Sequence, residues 1–337
     1  MKQKMTSSFR ERTCGQRCLS VRRALGTRRL FFVFCLASAI TFYFTVLHMG
    51  HFALFGTSGS ATFGVYNVTL VTAFLDIGQF SKGAQDNKRD HLNYERWCLP
   101  YAKIVSPVVL YTDSAQFARY FLGVRRRLEH LTKVVRVDRS KLWSFSLRDK
   151  IAKIYSGHYP RFYPNTVNPD YTCMTHAKFD MLEDAITNDF FLSPYVAWMD
   201  VGYMRELPRK WKSSLHAVLP PADFNASTVL CGQRYAPKFW KPYWSVLVWN
   251  DNWVAGGFFL ATRDVMGQFV RLYRRAVGVF LEKGYSQVEQ QIIHAMYTRS
   301  GRNLVRPEVE LQAVPGGWFH IGFRSMVVVN ITEMSSD

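Results

Sequence analysis

Apolar and polar positions alternate in blocks along residues 65–297. Short runs of β-branched and aromatic residues that end at turn residues predict strands, whereas longer runs with apolar residues three and four apart predict helices. The predicted strands are 65–75, 106–112, 133–137, 194–199, 229–234 and 252–261. The predicted helices are 86–103 with a break at Pro100, 114–129, 141–155, 171–187, 262–281 and 286–297. Strand–helix alternation of this kind predicts an α/β fold with a mixed, mainly parallel sheet flanked by helices.

Acidic residues follow three of the predicted strands, namely Asp76, Asp113 and Asp200. Ligands of such sheets bind beyond the carboxyl ends of the strands. Asp200 follows six uncharged residues, PYVAWM, so its carboxylate lies at the tip of a buried strand. A carboxylate there requires a cation, a hydrogen-bond donor or a metal ion. An aspartate that only caps the Asp-x-Gly turn is the alternative.

Three later features carry candidate chemistry. Gly256 and Gly257 interrupt an apolar strand, where glycine marks either the close approach of a ligand or tight packing. Glu289 and Gln290 lie on a helix face that looks either into a cleft or into solvent. His320 lies in a loop rich in glycine and aromatic residues, where a histidine can bind a metal or a phosphate. A histidine without either role is the alternative.

An uncharged, apolar run at 30–47 predicts a membrane-spanning helix. At about 1.5 Å per residue it reaches roughly 27 Å, close to the hydrocarbon thickness of a bilayer. Nine Lys/Arg and one acidic residue precede it, and no Lys/Arg follows before Lys82. The positive-inside rule therefore predicts a single-pass type II protein whose body is lumenal. A cleaved signal peptide, with Ala37-Ser38-Ala39 as its cleavage site, is the alternative.

Composition changes this picture little. The net charge is +18, but the first 29 residues contribute +8, so a basic tail beside a membrane explains much of it and nucleic-acid binding is not predicted. The hydrophobic content of 48% excludes a largely disordered chain. We predict a cytosolic tail at 1–29, an anchor at 30–55, a linker at 56–64, a lumenal domain at 65–326 and a C-terminal tail at 327–337.

Two sequence features agree with a lumenal body. Glycosylation sequons begin at Asn67, Asn225 and Asn330. Three cysteines follow the predicted anchor, and an oxidising lumen permits one disulfide among them, with the pairing left open; three buried thiols are the alternative. These cysteines are Cys98, Cys173 and Cys231.

The chain carries, in this order, the segments TLVTAFLDIG, SPVVLYTD, the helix that contains Lys178, PYVAWMDVG, NWVAGGFFLATRD and EQQIIH. Together, over roughly residues 66–325, these segments resemble the bacterial HtrL/YibB family. That family is similar to GT-A-type glycosyltransferases, and WMDVG resembles the strand-end DXD motif in which carboxylates hold Mn²⁺ and a nucleotide diphosphate. Only the first acid is present here, because Val201 and Gly202 follow Asp200.

The resemblance implies a transferase of the Golgi or endoplasmic-reticulum membrane that uses a nucleotide-sugar donor, a glycan acceptor and possible Mn²⁺. In it Asp200 and His320 bind the metal or the diphosphate, Asp76 binds the nucleoside, and Gly256, Gly257 and Gln290 line the substrate site. Glu289 is the base if the reaction inverts. A non-catalytic glycan-binding or scaffold protein is the first alternative. A polyanion-binding protein that uses Arg125, Arg126 and Arg127 is the second. The oligomeric state is left open.

Overall fold

A computed structural model describes residues 67–83, 88–206 and 214–329. Its strands, in chain order, are β1 Val68–Phe74, β2 Phe80–Ser81, β3 Lys88–Arg89, β4 Val108–Thr112, β5 Thr132–Arg136, β6 Tyr195–Met199, β7 Leu215–Val218, β8 Thr228–Gln233, β9 Val254–Thr262, β10 Glu310–Pro315 and β11 Met326–Val329. Seven of them form one sheet in the order β10-β8-β9-β6-β1-β4-β5. Only β9 runs antiparallel to its neighbours, so the prediction of a mixed, mainly parallel sheet is confirmed.

The helices flank this sheet. They are α1 His91–Trp97, α2 Ala115–Val124, α3 Trp143–Ser146, α4 Arg148–Tyr155, α5 Pro169–Asn188, α6 Tyr243–Val248, α7 Arg263–Glu282, α8 Glu289–Tyr297, α9 Arg299–Val305 and α10 His320–Arg324. Short 3-10 helices cover Leu99–Lys103, Arg126–Leu131, Arg139–Lys141 and Tyr203–Glu206. Two small antiparallel sheets pair β2 with β3 and β7 with β11.

Alternate residues of the central strands face two different cores, as the pleat of a strand requires. Val71 of β1 and Val109 of β4 lie in the core formed with α5 and α7. Leu70 and Leu110, on the other face of the same strands, pack with α2. Both faces are therefore apolar, which explains why these strands read as continuous hydrophobic runs.

Helix α5 carries buried residues on every side and lies against the sheet. Asn168 starts it, because its side chain accepts a hydrogen bond from the N–H of Tyr171, and Pro169 occupies the first turn. Asp189, in the left-handed conformation, ends it. This position places Lys178 of α5 beneath the carboxyl end of β6.

Three long predicted helices are shorter or divided in the structure. The helix predicted at 86–103 covers only His91–Trp97, and its predicted break at Pro100 coincides with the 3-10 helix that follows. The one predicted at 114–129 ends at Val124, and the one predicted at 141–155 is two helices, α3 and α4. Strand β11 reaches Val329, three residues beyond the predicted end of the domain, because it pairs with β7.

Arg125, Arg126 and Arg127 do not form one exposed surface, because Arg125 is buried. Its side chain is 1% exposed and donates to the carbonyl oxygens of Tyr101, Ile104, Ser106 and Leu131. Burial lowers its pKa to about 10, so it remains charged at neutral pH. It ties β4 and β5 to the Leu99–Lys103 helix, whereas Arg126 and Arg127 are exposed.

The three cysteines of the body are buried and their thiols are free. Burial raises the pKa of each thiol to about 12, so these thiols are unreactive at neutral pH. The alternative of three buried thiols is therefore the one seen in the structure.

The predicted anchor at 30–55 lies outside the described residues, as do the predicted tail and linker. Within the part of the chain that is described, no helix is long and apolar enough to cross a bilayer. Asn67 is half-buried and Asn225 is exposed on a turn, whereas Asn330 is not among the described residues. Use of the three sequons stays a prediction.

Candidate active site

A cavity of about 410 Å³ lies at the carboxyl ends of β1 and β6. Strand β1 lies between β4 and β6. After β1 the chain builds the sheet outward on one side through β4 and β5, and then continues on the other side of β1 with β6. Ligands of open α/β sheets bind at such a switch in strand order. Four predicted site residues line this cavity: Asp76, Asp200, Glu289 and Gln290.

Lys178 forms the centre of the site. Its Nζ lies 2.7 Å from the carbonyl oxygen of Gly256, 2.9 Å from Oδ1 of Asp200 and 2.9 Å from Oε1 of Glu289. An ammonium group has three N–H donors, and these three acceptors use all of them. Lys178 therefore holds the two carboxylates in place rather than binding a ligand itself.

The two carboxylates keep Lys178 in its charged form. Burial alone lowers the pKa of Lys178, but the carboxylates of Asp200 and Glu289 outweigh it and raise the pKa above its ordinary value. The side chain of Lys178 is 8% exposed and that of Glu289 is 5% exposed. One buried cation thus lies between two carboxylates.

Asp200 is positioned by three contacts. Its N–H donates to the carbonyl oxygen of Gly257 at 2.9 Å, and its Oδ1 accepts from Trp198 Nε1 at 2.8 Å as well as from Lys178. Both side-chain donors bind Oδ1, and within the described chain Oδ2 has no hydrogen-bond or ion-pair partner. Since the side chain is 38% exposed, Oδ2 is available to a ligand in the cavity.

The glycine pair supports this cluster from behind and does not line the cavity. A Cβ at Gly256 would collide with Oε1 of Glu289, and one at Gly257 would come within 2.7 Å of the ring of Tyr203. Both glycines are therefore needed so that α8 and the Tyr203–Glu206 helix can approach β9. The surroundings of both glycines therefore correspond to the alternative of tight packing.

Asp76 also lines the cavity, two residues after β1. It faces His91, whose Nδ1 is 3.5 Å from its Oδ2, and its backbone N–H donates to Asp113 Oδ1 at 2.9 Å. Asp113 itself pairs with Arg139 at 2.7 Å and does not line the cavity. Asp113 therefore ties two strand ends together, whereas Asp76 is 45% exposed toward a ligand.

The donor set around Asp200 does not fit a divalent metal. Gly202 stands where a DXD motif has its second acid, and Val201 before it is buried and apolar. The carboxylate of Asp200 already pairs with Lys178. His320 is exposed at the start of α10, and the cavity is lined from that loop by Trp318 instead. Across residues 67–83, 88–206 and 214–329, no group of three His, Cys, Asp or Glu side chains could hold a metal ion. Metal binding by Asp200 and His320 stays a prediction.

Sequence reasoning gave no role to any of the basic residues that line the cavity. Lys178 was part of a helix but had no predicted role, and Lys82, Arg89, His91 and Arg205 had none either. The one signal was a lysine inside the apolar part of α5, between Ala177 and Phe179. A lysine buried on a helix requires a carboxylate partner.

Comparison with known proteins places the chain in a family. No curated protein sequence matches it significantly. A solved structure that resembles it is the apo form of mouse xyloside xylosyltransferase 1, with 12% sequence identity and a TM-score of 0.32, covering 74% of this chain and 84% of that chain. A likeness at that level bears on neither fold nor activity. The model of the family described as "Bacterial protein of unknown function (HtrL_YibB)" matches residues 66–326, and the chain therefore belongs to the HtrL/YibB family.

Proposed function

We propose that the protein is a glycosyltransferase that moves a sugar from a nucleotide sugar to a glycan acceptor. We place it in the Golgi or endoplasmic-reticulum membrane, with its body in the lumen. The observation that carries the proposal is the cavity at the switch in strand order, which combines the Lys178-bound carboxylates with several cations. The resemblance of WMDVG to a DXD motif also supports a GT-A-like fold and this chemistry.

The charges of the cavity match the charges of such a reaction. The departing nucleoside diphosphate gains negative charge, which positive groups stabilise. The sugar carbon gains positive charge as the bond to the leaving group breaks, which a nearby carboxylate stabilises. Asp200 Oδ2 supplies the carboxylate, and the cations of the cavity face the leaving group. Lys178 keeps the carboxylates in one geometry, so no reorganisation is required during the reaction.

Glu289 and Gln290 begin α8 and belong on the acceptor side. Glu289 is the base in an inverting reaction, because its carboxylate lines the cavity and Lys178 binds only its Oε1. Gln290 is held by Asn252, whose Nδ2 donates to Oε1 at 2.8 Å. Asp76 contacts the nucleoside. These are the roles predicted from the sequence.

An exposed tryptophan extends the acceptor side. Asn165 lines the cavity and donates to Asn250 Oδ1 at 3.1 Å, and the neighbouring Trp249 is 60% exposed. The faces of sugar rings carry C–H groups that pack on aromatic rings. Trp249 is therefore a candidate for contact with a glycan acceptor.

A non-catalytic glycan-binding protein on the same fold is the second candidate. The observation that favours it is the missing second acid together with the three protein acceptors of Lys178, an arrangement that also stabilises a strand end without chemistry. Turnover separates the two candidates, because only an enzyme releases nucleotide from a donor.

The test measures nucleotide release by the full chain, purified in detergent, from UDP-, GDP- and CMP-sugars with a panel of glycan acceptors. We expect one donor to be turned over. Asp200→Asn keeps an acceptor for Trp198 and Lys178 but removes the charge, so turnover should fall about 100-fold or more. Asp264→Asn, an exposed aspartate on α7, is the matched control and should not change it. Release from no donor, with glycan binding retained, would establish the second candidate instead.

A further inference from the structure

Two pairs of uncharged amide side chains lie at the cavity. Asn165 Nδ2 donates to Asn250 Oδ1 at 3.1 Å, and Asn252 Nδ2 donates to Gln290 Oε1 at 2.8 Å. Asn165 and Gln290 line the cavity, whereas their partners are two residues apart in the chain, a separation of at most about 7 Å. Each cavity residue is therefore oriented by a second amide, and the two pairs are neighbours. We call Asn165, Asn250, Asn252 and Gln290 the amide cluster.

The turn that carries both partners is held by contacts of its own. Asp251, between the two asparagines, accepts from Lys238 Nζ at 2.8 Å and from Lys241 Nζ at 2.5 Å. Its N–H donates to the carbonyl oxygen of Val246 at 3.0 Å. Asn250 has a φ of 56°, a left-handed conformation that asparagine adopts more readily than most residues. The cavity amides are thus oriented by a well-anchored turn.

The bonds within the pairs determine which atoms are left for a ligand. Gln290 accepts from Asn252 through Oε1, and its Nε2 has no acceptor among the described residues. Asn165 donates to Asn250, and its Oδ1 accepts from no residue in the described part of the chain. Both side chains are half-buried, and neither of these two free atoms is buried. A ligand in the cavity therefore meets N–H donors on Gln290 and an acceptor oxygen on Asn165.

This combination matches sugar hydroxyl groups better than it matches anions. A hydroxyl group both donates and accepts hydrogen bonds, so neighbouring hydroxyls can satisfy the donor and the acceptor together. A phosphate or a sugar carboxylate offers acceptors alone, and the oxygen of Asn165 repels it. Glu289, the residue before Gln290, also lines the cavity and adds a carboxylate that favours donors.

We infer that Asn165 and Gln290, oriented by Asn250 and Asn252, bind neighbouring hydroxyl groups of a neutral sugar and thereby set the specificity of the acceptor site. The inference rests on the proposed function for the role of that sugar as the acceptor. It places the bound hydroxyls beside Glu289, the base proposed for an inverting reaction. Asn250 and Asn252 are positioning residues, because they act through the two amides that contact the sugar.

The test measures binding of neutral methyl glycosides to the full chain, purified in detergent, by titration with saturation-transfer NMR. The probes are the methyl glycosides of glucose, galactose and mannose, each compared with the matching uronic acid glycoside. We expect at least one neutral glycoside to bind and its uronic acid counterpart to bind about fivefold more weakly, because a carboxylate cannot donate to Asn165.

The matched variants change one atom in each amide. Asn252→Asp removes the N–H that Gln290 Oε1 accepts, so the Gln290 amide turns to donate to the new carboxylate and no longer offers its donors to the sugar. Binding of the neutral glycoside should weaken about fivefold or more. Asn250→Asp adds the same charge but keeps the acceptor that Asn165 uses, so its loss should be smaller. Asn303→Asp, at an exposed position of α9 outside the cavity, is the control and should bind as the native chain does.

Thermal unfolding of each variant shows whether a loss of binding is a loss of fold. Equal losses in Asn252→Asp and Asn250→Asp would overturn the inference, because the added charge and not the orientation of Gln290 would then determine binding. Binding of no neutral glycoside would overturn it as well. Uronic acid glycosides that bind as tightly as the neutral ones would show that the cations of the cavity select the ligand instead.

The outcomes for the amide cluster and for the transferase are separate. Sugar transfer in which Asn252→Asp leaves the KM for the acceptor unchanged would reject the amide cluster and leave the proposed function intact. Binding of a neutral glycoside with the expected order of variants, without turnover of any nucleotide sugar, would keep the amide cluster as a sugar site and reject the transferase.

Discussion

At the scale of single residues, the site depends on how one buried cation is partnered. Lys178 is 8% exposed and touches two carboxylates and one carbonyl oxygen, so each of its protons has an acceptor. An ion cluster of this kind adds little net stability compared with apolar residues of the same shape, but removing one member leaves the others uncompensated. The lysine is therefore a positioning residue whose loss affects both the fold and the site.

Replacing Lys178 by Met tests this directly. The variant leaves Asp200 and Glu289 close together without their cation, so the free energy of unfolding should fall by about 3–5 kcal/mol, measured by urea denaturation. Adding Glu289→Gln removes one of the two charges and should recover part of the loss. Lys150→Met, at an exposed position of α4, is the control and should have little effect. Stability of Lys178→Met equal to that of the native protein would show that the cluster is not a coupled unit.

At the scale of elements, Arg125 joins segments that are separate in the sequence. Its guanidinium donates to carbonyl oxygens of the Leu99–Lys103 helix, of Ile104 and of the segments before β4 and β5. Arg125→Gln should lower the free energy of unfolding by about 3 kcal/mol or more, because buried carbonyl groups lose their donors. Arg126→Gln and Arg127→Gln should change it little. Denaturant titrations of the three variants compare one buried arginine with two exposed neighbours.

The substitutions at Arg126 and Arg127 also test the polyanion-binding alternative. Only Arg126 and Arg127 of the run are exposed, so the test of that alternative is retention on heparin after replacing these two alone. If they only face solvent, retention should change little. A large loss of retention at low salt would instead support a polyanion site, since such contacts are screened by salt.

A second prediction at this scale concerns the packing of α5 on α7. His176 Nδ1 lies 2.6 Å from the hydroxyl oxygen of Tyr273, its Nε2 has no partner within the described chain, and burial lowers its pKa to about 3. Below pH 6.5 the unfolded chain binds a proton on this histidine that the folded chain does not bind until about pH 3. Stability should therefore fall as pH falls through that window, by about 1–2 kcal/mol between pH 7 and 5 from His176.

The measurement compares unfolding free energies at pH 7 and pH 5 for the native chain, His176→Gln and His158→Gln. Glutamine can still bond the Tyr273 hydroxyl but does not titrate, so the decline should be smaller in His176→Gln. His158 is exposed, and its replacement should leave the decline unchanged. Equal declines in all three proteins would contradict the assignment of a neutral, buried His176.

The sequence predicted the elements that carry their own pattern. Strands β1, β4, β6 and β9 and helices α5 and α7 lie within a few residues of their predicted bounds, because each is long, apolar on the buried face and ended by a turn or a cap. The positions of Asp76 and Asp200 beyond strand ends were predicted from the pattern of β1 and β6 alone. Strands β7 and β11 were not predicted, since β11 forms only where it pairs with β7, over a hundred residues earlier in the chain.

The partners within the site could not be read from the sequence for the same reason. Lys178 and Glu289 are 111 residues apart in the chain, and they meet because α5, which packs on β1 and β6, also contacts α8, which packs on β9. The pairing of Asn165 with Asn250 and of Asn252 with Gln290 has no spacing of its own in the sequence. Chemistry that depends on such contacts requires the folded chain.

At the scale of the whole molecule, charge predicts how the chain lies in a membrane. The 29 residues before the apolar run carry nine Lys/Arg and one acid, and the body carries the remaining, milder excess. Clusters of Lys/Arg beside a spanning helix stay in the cytosol. The proposed nucleotide-sugar reaction belongs in the lumen, so the function and the orientation are linked.

Protease treatment of sealed microsomes that contain the full chain, with an epitope at each end, tests this orientation. We expect the N-terminal epitope to be lost and the C-terminal epitope to be protected, because about 29 residues of tail are outside and the body is inside; detergent should abolish the protection. A cleaved signal peptide would instead leave protein without the N-terminal epitope before any protease is added. Glycosidase treatment should increase mobility, and Asn225→Gln, at the exposed sequon, should reduce that shift. Loss of the C-terminal epitope in intact vesicles, with no glycosidase shift, would place the body in the cytosol and remove the lumenal setting on which the proposed acceptor depends.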